Sequence, residues 1–200
     1  MKNFLVFSIF VCSLNILNTY GQNVHYLYKN DENIVYIDSI KTLNTLSRDL
    51  TFIDSKKSMK YAQSALRLSL VHNYKLGEAY ASLNIGSLYS LREIYSFGMD
   101  YIQTSQAIFK KQNDAKGLAN CYISLGLLYG YLNNFEEQIK YYKLSLDIFN
   151  ELNLPDRIAV SSHNLGESYY NNKDLENSRK MTLLSIDISK SIGHSILLSA

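Results

Sequence analysis

Ala119-Asn120-Cys121-Tyr122-Ile123-Ser124-Leu125-Gly126-Leu127-Leu128-Tyr129 decides the fold, because it recurs. Forty residues earlier stands Ala79-Tyr80-Ala81-Ser82-Leu83-Asn84-Ile85-Gly86-Ser87-Leu88-Tyr89. Forty residues later stands Ala159-Val160-Ser161-Ser162-His163-Asn164-Leu165-Gly166-Glu167-Ser168-Tyr169. Alanine, glycine and tyrosine keep the same step in all three copies. A fixed period of this size marks a stacked repeat array, in which each unit buries its apolar face against the next. Such an array is a binding scaffold before it is anything else.

Working outward, a second register repeats beside the first. Tyr61, Tyr101, Tyr141 and Met181 are forty apart, as are Ala65, Ser105, Ser145 and Ser185, and Leu68, Ile108, Ile148 and Ile188. Apolar residues three and four apart make each register a helix. Asn73, Asn113, Asn153 and then Gly193 fall where a helix wants a left-handed cap. Gly77 and Gly117 are expected to precede the next helix, and Pro155 to begin one, where its missing N–H costs nothing. Asn133-Asn134 and Asn171-Asn172-Lys173-Asp174 supply turns within a unit. Asp54 caps a helix from Ser55. Short connections force antiparallel neighbours, so each unit is helix–turn–helix. Glu136 and Lys140 are spaced as an i,i+4 pair on a solvated face.

Gly86, Gly126 and Gly166 lie mid-helix, where glycine costs about 0.5–1 kcal/mol relative to alanine. Three such losses at one register make sense where a neighbouring helix comes close, with Tyr89, Tyr129 and Tyr169 stacked over the contact. In the earlier helix, Leu46 stands forty residues before Gly86, so 34–76 reads as a degenerate first repeat.

The remaining segments are short. Residues 1–21 have Lys2, then a mostly apolar run to Leu17, then Thr19-Tyr20-Gly21, the pattern of a secretory signal peptide cleaved near Gly21. The run is too interrupted by Ser8, Ser13 and Asn15 to span a bilayer comfortably. The expected location is therefore exported, periplasmic or secreted. Residues 22–33 are polar and turn-like, a linker. The three repeats occupy 77–114, 115–154 and 155–194, and 195–200 begins an incomplete one. That last hairpin is the expected site of any self-association, and any membrane attachment would come from a further C-terminal region.

The chain has 46% hydrophobic and 19% charged residues and a formal charge of +2, less one once Lys2 leaves. That balance gives no basic face for nucleic acid. Cys12 falls in the signal, so Cys121 has no internal disulfide partner. It shares a small-residue register with Ala81 and Ser161, which makes it a buried thiol. No phosphate loop, nucleophile elbow or metalloprotease motif occurs, and no His has a ligand-spaced partner. The expectation is no enzyme, no cofactor and no metal.

These units resemble tetratricopeptide repeats. Tyr122, Leu125, Gly126 and Tyr129 fit the family's first helix best, and Phe135, Tyr141, Tyr142 and Ser145 its second. The flanking units match at Ile85, Gly86, Tyr89, Tyr95 and Tyr101, and at Leu165, Gly166, Tyr169, Leu175 and Ser185, with Ser82 and Ser162 in place of the aromatic. The period of 40 exceeds the family's usual length of about 34, which adds about a turn and a half of helix. Gly98, Gln138 and Ser178 hold the small position of the second helix, with looser packing expected at Gln138.

The resemblance implies an all-α solenoid of antiparallel helix-turn-helix units that binds a protein or peptide. The longer repeat is similar to sensory regions of exported bacterial signalling proteins, the alternative being a stand-alone envelope adaptor. It places the groove at first-helix positions Leu83, Ser87, Ile123, Leu127, His163 and Glu167, with Asn84, Ser124 and Asn164 beside them. Such an apolar-to-acidic groove suits a helix or extended segment with a hydrophobic anchor, or equally an additional helix or a dimer mate.

Overall fold

The computed structural model describes residues 35–193. The chain divides into two compact units, Met1–Ser39 and Ile40–Ala200. Of the first, only residues 35–39 are described, the opening of a helix in which the Ser39 hydroxyl donates to the Val35 carbonyl at 2.9 Å. The proposed signal peptide, the linker up to residue 33 and the incomplete repeat at 195–200 lie outside the described residues.

The repeat array occupies the second unit. Its helices are α1 (35–50), α2 (Ser55–Val71), α3 (Lys75–Leu91), α4 (Tyr95–Gln112), α5 (Ala115–Tyr131), α6 (Phe135–Glu151), α7 (Pro155–Asn171) and α8 (Leu175–Ser191). No strand occurs among the described residues. Successive helices pack against each other, and the first helices α3 and α5 also touch. The architecture is an all-α solenoid of helix–turn–helix units, as the sequence implies.

The repeat of forty is two repeats of twenty. From α2 onward the helices begin at residues 55, 75, 95, 115, 135, 155 and 175. Each boundary uses one device. A left-handed residue ends the helix: Asn73, Glu93, Asn113, Asn133, Asn153, Lys173 and Gly193, with φ from 51 to 72°. The next N–H reaches back five residues, as Ile94 N–H does to the Tyr89 carbonyl at 2.9 Å and Asp174 N–H to that of Tyr169 at 2.9 Å. Those bonds satisfy carbonyls the helix end would otherwise orphan. The same residue then caps the following helix, by side chain at Asp114, Asn134 and Asp174, as Asp54 also does for α2.

Three local expectations change. Gly77 and Gly117 do not precede helices; they are buried inside the first turns of α3 and α5. A Cβ on Gly117 would enter the Phe109 ring, and one on Gly77 would meet Ile40 at 2.6 Å. Their task is close approach. Leu46 does not take Gly86's place, being 39% exposed. The α1–α2 turn lacks a left-handed residue and closes with an Asp54 N–H to Leu50 carbonyl bond, which shifts the phase of α1. Ser47 faces α2 instead, accepting from the Ser58 hydroxyl on its carbonyl at 2.7 Å. Finally, Lys140 pairs with Glu137 at 2.9 Å rather than with Glu136.

The core follows the registers. A Cβ on Gly86 would meet the Gly98 carbonyl oxygen at 2.9 Å, and one on Gly126 the Tyr142 ring at 2.6 Å. Tyr89 stacks on Tyr101 with centroids 5.7 Å apart, and Tyr129 on Tyr141 at 5.4 Å. Packing at Gln138 is not loose, because Gly130 makes room for its amide and Gln138 is buried. Where one unit meets the next, small residues face each other: Ser105 Oγ lies 3.4 Å from Cys121 Sγ, and Ser145 Oγ 3.2 Å from Ser161 Oγ. Burial pushes the Cys121 thiol up to about 12, as a small buried hydrophobe requires.

Candidate functional site: the first-helix face

The face expected to bind is built from α3, α5 and α7, each contributing the residues around its mid-helix glycine. Its end at α3 is closed. Leu83 is buried in the core with Ile102 and Leu125. The Asn84 amide donates to the Asn44 carbonyl at 2.9 Å, and the Asn44 amide to that of Gly77 at 3.1 Å. Ser87 and Ser124 share a hydroxyl hydrogen bond of 2.9 Å. These four candidates join α1 to α3 and α3 to α5, and so fix the spacing of the first helices.

The face opens along α5 and α7. Ile123 and Leu127 are half-buried over a cluster that includes Ile139, Tyr142, Leu165 and Tyr169. His163 and Asn164 are half-buried and Glu167 is exposed. The Ser168 hydroxyl donates to the Asn164 main-chain carbonyl at 2.7 Å, and the Asn164 side chain itself is half-buried on the face. The open part therefore offers two aliphatic side chains, an imidazole, an amide and a carboxylate. That set has the chemistry to bury an apolar side chain and to exchange hydrogen bonds beside it.

Sequence reasoning missed a depression at the margin of this face. Phe52, Leu91 and Tyr131 line it together with Ser87, Ser124 and Leu127. Phe52 is 74% exposed, and Tyr131 stacks on Tyr95 at 6.4 Å. Leu91 and Tyr131 are forty apart, so the register held the signal, but Phe52 lies in the out-of-phase turn after α1. Position 122 also resolves here: Tyr122 packs on Tyr141 at 6.0 Å, whereas the serines in its place, Ser82 and Ser162, are buried.

Tyr80 ties the face to the next unit. Its hydroxyl donates to Asp114 Oδ2 at 2.9 Å, and Asp114 Oδ1 accepts from the Gly117 N–H at 2.8 Å. Burial, then that carboxylate, push the Tyr80 hydroxyl well above its ordinary value. Among the described residues, no group of three or more His, Cys, Asp or Glu is placed to hold a metal ion, and no helix is long and apolar enough to cross a membrane.

Residues 119–151, the α5–α6 pair, match the family model of the tetratricopeptide repeat. That helix pair is similar to a tetratricopeptide repeat. The matched pair is the one in which Tyr122, Leu125, Gly126 and Tyr129 stand together. Solved structures agree at the level of fold. BtubC (BKLC) from P. vanneervenii is 15% identical, with a TM-score of 0.63 over 77% of this chain and 64% of its own. Aspartyl phosphate phosphatase F from Bacillus subtilis is 16% identical, with a TM-score of 0.71 over 82% of this chain and 43% of its own. The chain thus spans less than two thirds of the length of either. No curated protein matches it.

Proposed function

We propose that this chain is a non-enzymatic scaffold that binds a protein or peptide through the open half of its first-helix face. The observation that carries the reading is the contrast along that face. Asn84, Ser87 and Ser124 are consumed by bonds between helices, while Ile123, Leu127, His163, Asn164 and Glu167 keep accessible surface without any such joint. A repeated frame with a variable, partly apolar face suits an anchor residue flanked by polar contacts. The apolar stretch from Phe4 to Leu17 supports the further proposal that the scaffold works outside the cytoplasm, as the sensory part of a bacterial signalling protein.

Panning a displayed peptide library on the purified protein tests the scaffold reading. Selected peptides should share one bulky apolar residue, and Leu127→Glu should weaken them about tenfold or more, since a buried anchor contributes about 1.5–3 kcal/mol. Recovery of no consensus, or of binders indifferent to Leu127→Glu and Ile123→Glu, removes this face from the proposal. For export, residues 1–33 fused to an alkaline phosphatase that is active only after translocation should give activity in whole cells. An inactive fusion overturns that part.

A further inference from the structure

A second cleft lies between the second helices α2 and α4, with α3 as its floor. Its volume is about 380 Å³, within the range of sites that bury a ligand group. Leu66, Arg67, Leu70 and Val71 of α2 form one wall, and Ile85, Tyr89 and Tyr101 the base. Leu70 and Val71 are 53% and 68% exposed, far more than a repeat core requires of such residues.

The other repeats act as an internal control. Forty residues on, the floor keeps its character: Leu125, Tyr129 and Tyr141, then Leu165, Tyr169 and Met181. The wall does not. Leu66, Leu70 and Val71 become Gln106, Lys110 and Lys111, then Leu146, Asn150 and Glu151. In the third unit Lys143 reaches over the Tyr169 ring at 5.6 Å and covers the floor, where the first unit has Gln63. The architecture therefore needs the floor and not the apolar wall. The apolar wall of the first cleft is specific to it.

Charge says what the wall would meet. Lys56, Lys60, Gln63, Arg67 and Leu70 fall on one exposed line of α2, three and four residues apart. No Asp or Glu lies within α2, and its N-cap Asp54 accepts from the Lys57 N–H and ion-pairs with that lysine at 3.5 Å. No ion pair engages Lys56, Lys60 or Arg67 among the described residues. From Lys56 to Arg67 the cationic line runs about 16 Å at helical rise.

We propose that the α2–α4 cleft docks an acidic peptide segment. A bulky apolar residue of the partner enters over Tyr89 and Tyr101 between Leu66, Leu70 and Val71. Its carboxylates, spaced by helical turns, lie along Arg67, Lys60 and Lys56. This site is separate from the first-helix face and does not depend on it.

The test uses the full-length protein and a fluorescent peptide of about fourteen residues, with Phe and Leu one turn apart and Glu along one flank. Anisotropy should show saturable binding, weakened about five- to tenfold by Arg67→Gln and at least about tenfold by Leu70→Gln with Val71→Gln. A scrambled peptide of the same composition should bind at least about tenfold less well, and Leu127→Gln should leave binding within about twofold. All the altered residues on α2 are exposed, so circular dichroism should remain unchanged. Absent binding, equal binding of the scrambled peptide, or indifference to the α2 substitutions overturns the proposal. So does a change in the protein's own sedimentation on altering Leu70 and Val71, which would assign the cleft to a second copy. Loss on Leu127→Gln alone would return the peptide to the first-helix face.

Discussion

At the scale of single residues, the three mid-helix glycines face one register position of the next helix, 102, 142 or 182, but not the same atoms. A Cβ on Gly86 would meet the Ile102 side chain at 2.8 Å and the Gly98 carbonyl oxygen at 2.9 Å, and backbone cannot step aside. One on Gly126 would meet the Tyr142 ring, which is almost fully buried. One on Gly166 would meet Thr182 Oγ1 at 2.7 Å, a group that can rotate away, and less tightly the Thr182 nitrogen and Ser178 carbonyl oxygen at 3.2 and 3.3 Å. Overpacking costs about 1–3 kcal/mol, against a helix gain of about 0.5–1 kcal/mol on replacing glycine by alanine. Gly86→Ala should therefore destabilise most, by about 2 kcal/mol net, and Gly166→Ala least, by less than about 1 kcal/mol. Urea midpoints of the three variants check the order; equal losses at all three would refute it. The glycine register was legible because close approach leaves a mark in sequence. The groove was less so. Asn84 and Ser87 look like groove residues until α1 and α5 are placed beside them, since a short polar side chain serves a ligand or a neighbouring helix equally well.

At the scale of the helix, every boundary from α2 onward uses one turn, which makes its residues comparable. Asparagine holds the left-handed position at 73, 113, 133 and 153, and glycine at 193, but Glu93 and Lys173 hold it with φ of 62 and 66°. A side chain without asparagine's local hydrogen bonding loses about 1 kcal/mol or more there. Glu93→Gly and Lys173→Gly should each stabilise by up to about 1 kcal/mol, since neither side chain makes a hydrogen bond or ion pair in the turn and both are exposed. Differential scanning calorimetry of the double variant should show a Tm higher by several degrees; a fall would mean these side chains act in the turn. Glu93 helps explain why the twenty-residue period was hidden. Asparagine announced four boundaries and Asn171-Asn172-Lys173-Asp174 another, but glutamate at 93 carries no turn signal. The phase shift of α1 left one mark in the sequence: Ile53 stands at the register of the left-handed residues, and a β-branched side chain disfavours that conformation.

At the scale of the molecule, the joints between units are neutral polar groups that must stay protonated. Cys121 meets Ser105 between α4 and α5, and Tyr80 meets Asp114 between α3 and the start of α5. Burial holds the Cys121 thiol up at about 12 against an ordinary 9.0. Burial likewise raises the Tyr142 hydroxyl, with Gln138 acting weakly in the other direction, and raises Tyr80 together with the Asp114 carboxylate. In each case the folded pKa lies above the unfolded one. The stabilisation is then complete below the unfolded value and is lost as pH rises, because the unfolded chain releases its proton first. Stability should fall from about pH 9, where the free thiol titrates, and more steeply above about pH 10, where free tyrosine joins it. Thermal melts should show Tm dropping by at least about 5 °C between pH 8.5 and 10.5. Cys121→Ala should flatten the first part of that decline and Tyr80→Phe the second, which separates these joints from a general alkaline loss of lysine charge. A wild-type Tm that stays level to pH 10.5 would mean that the interfaces between units open to water, and that the repeats are not held by the buried groups at Cys121, Tyr142 and Tyr80.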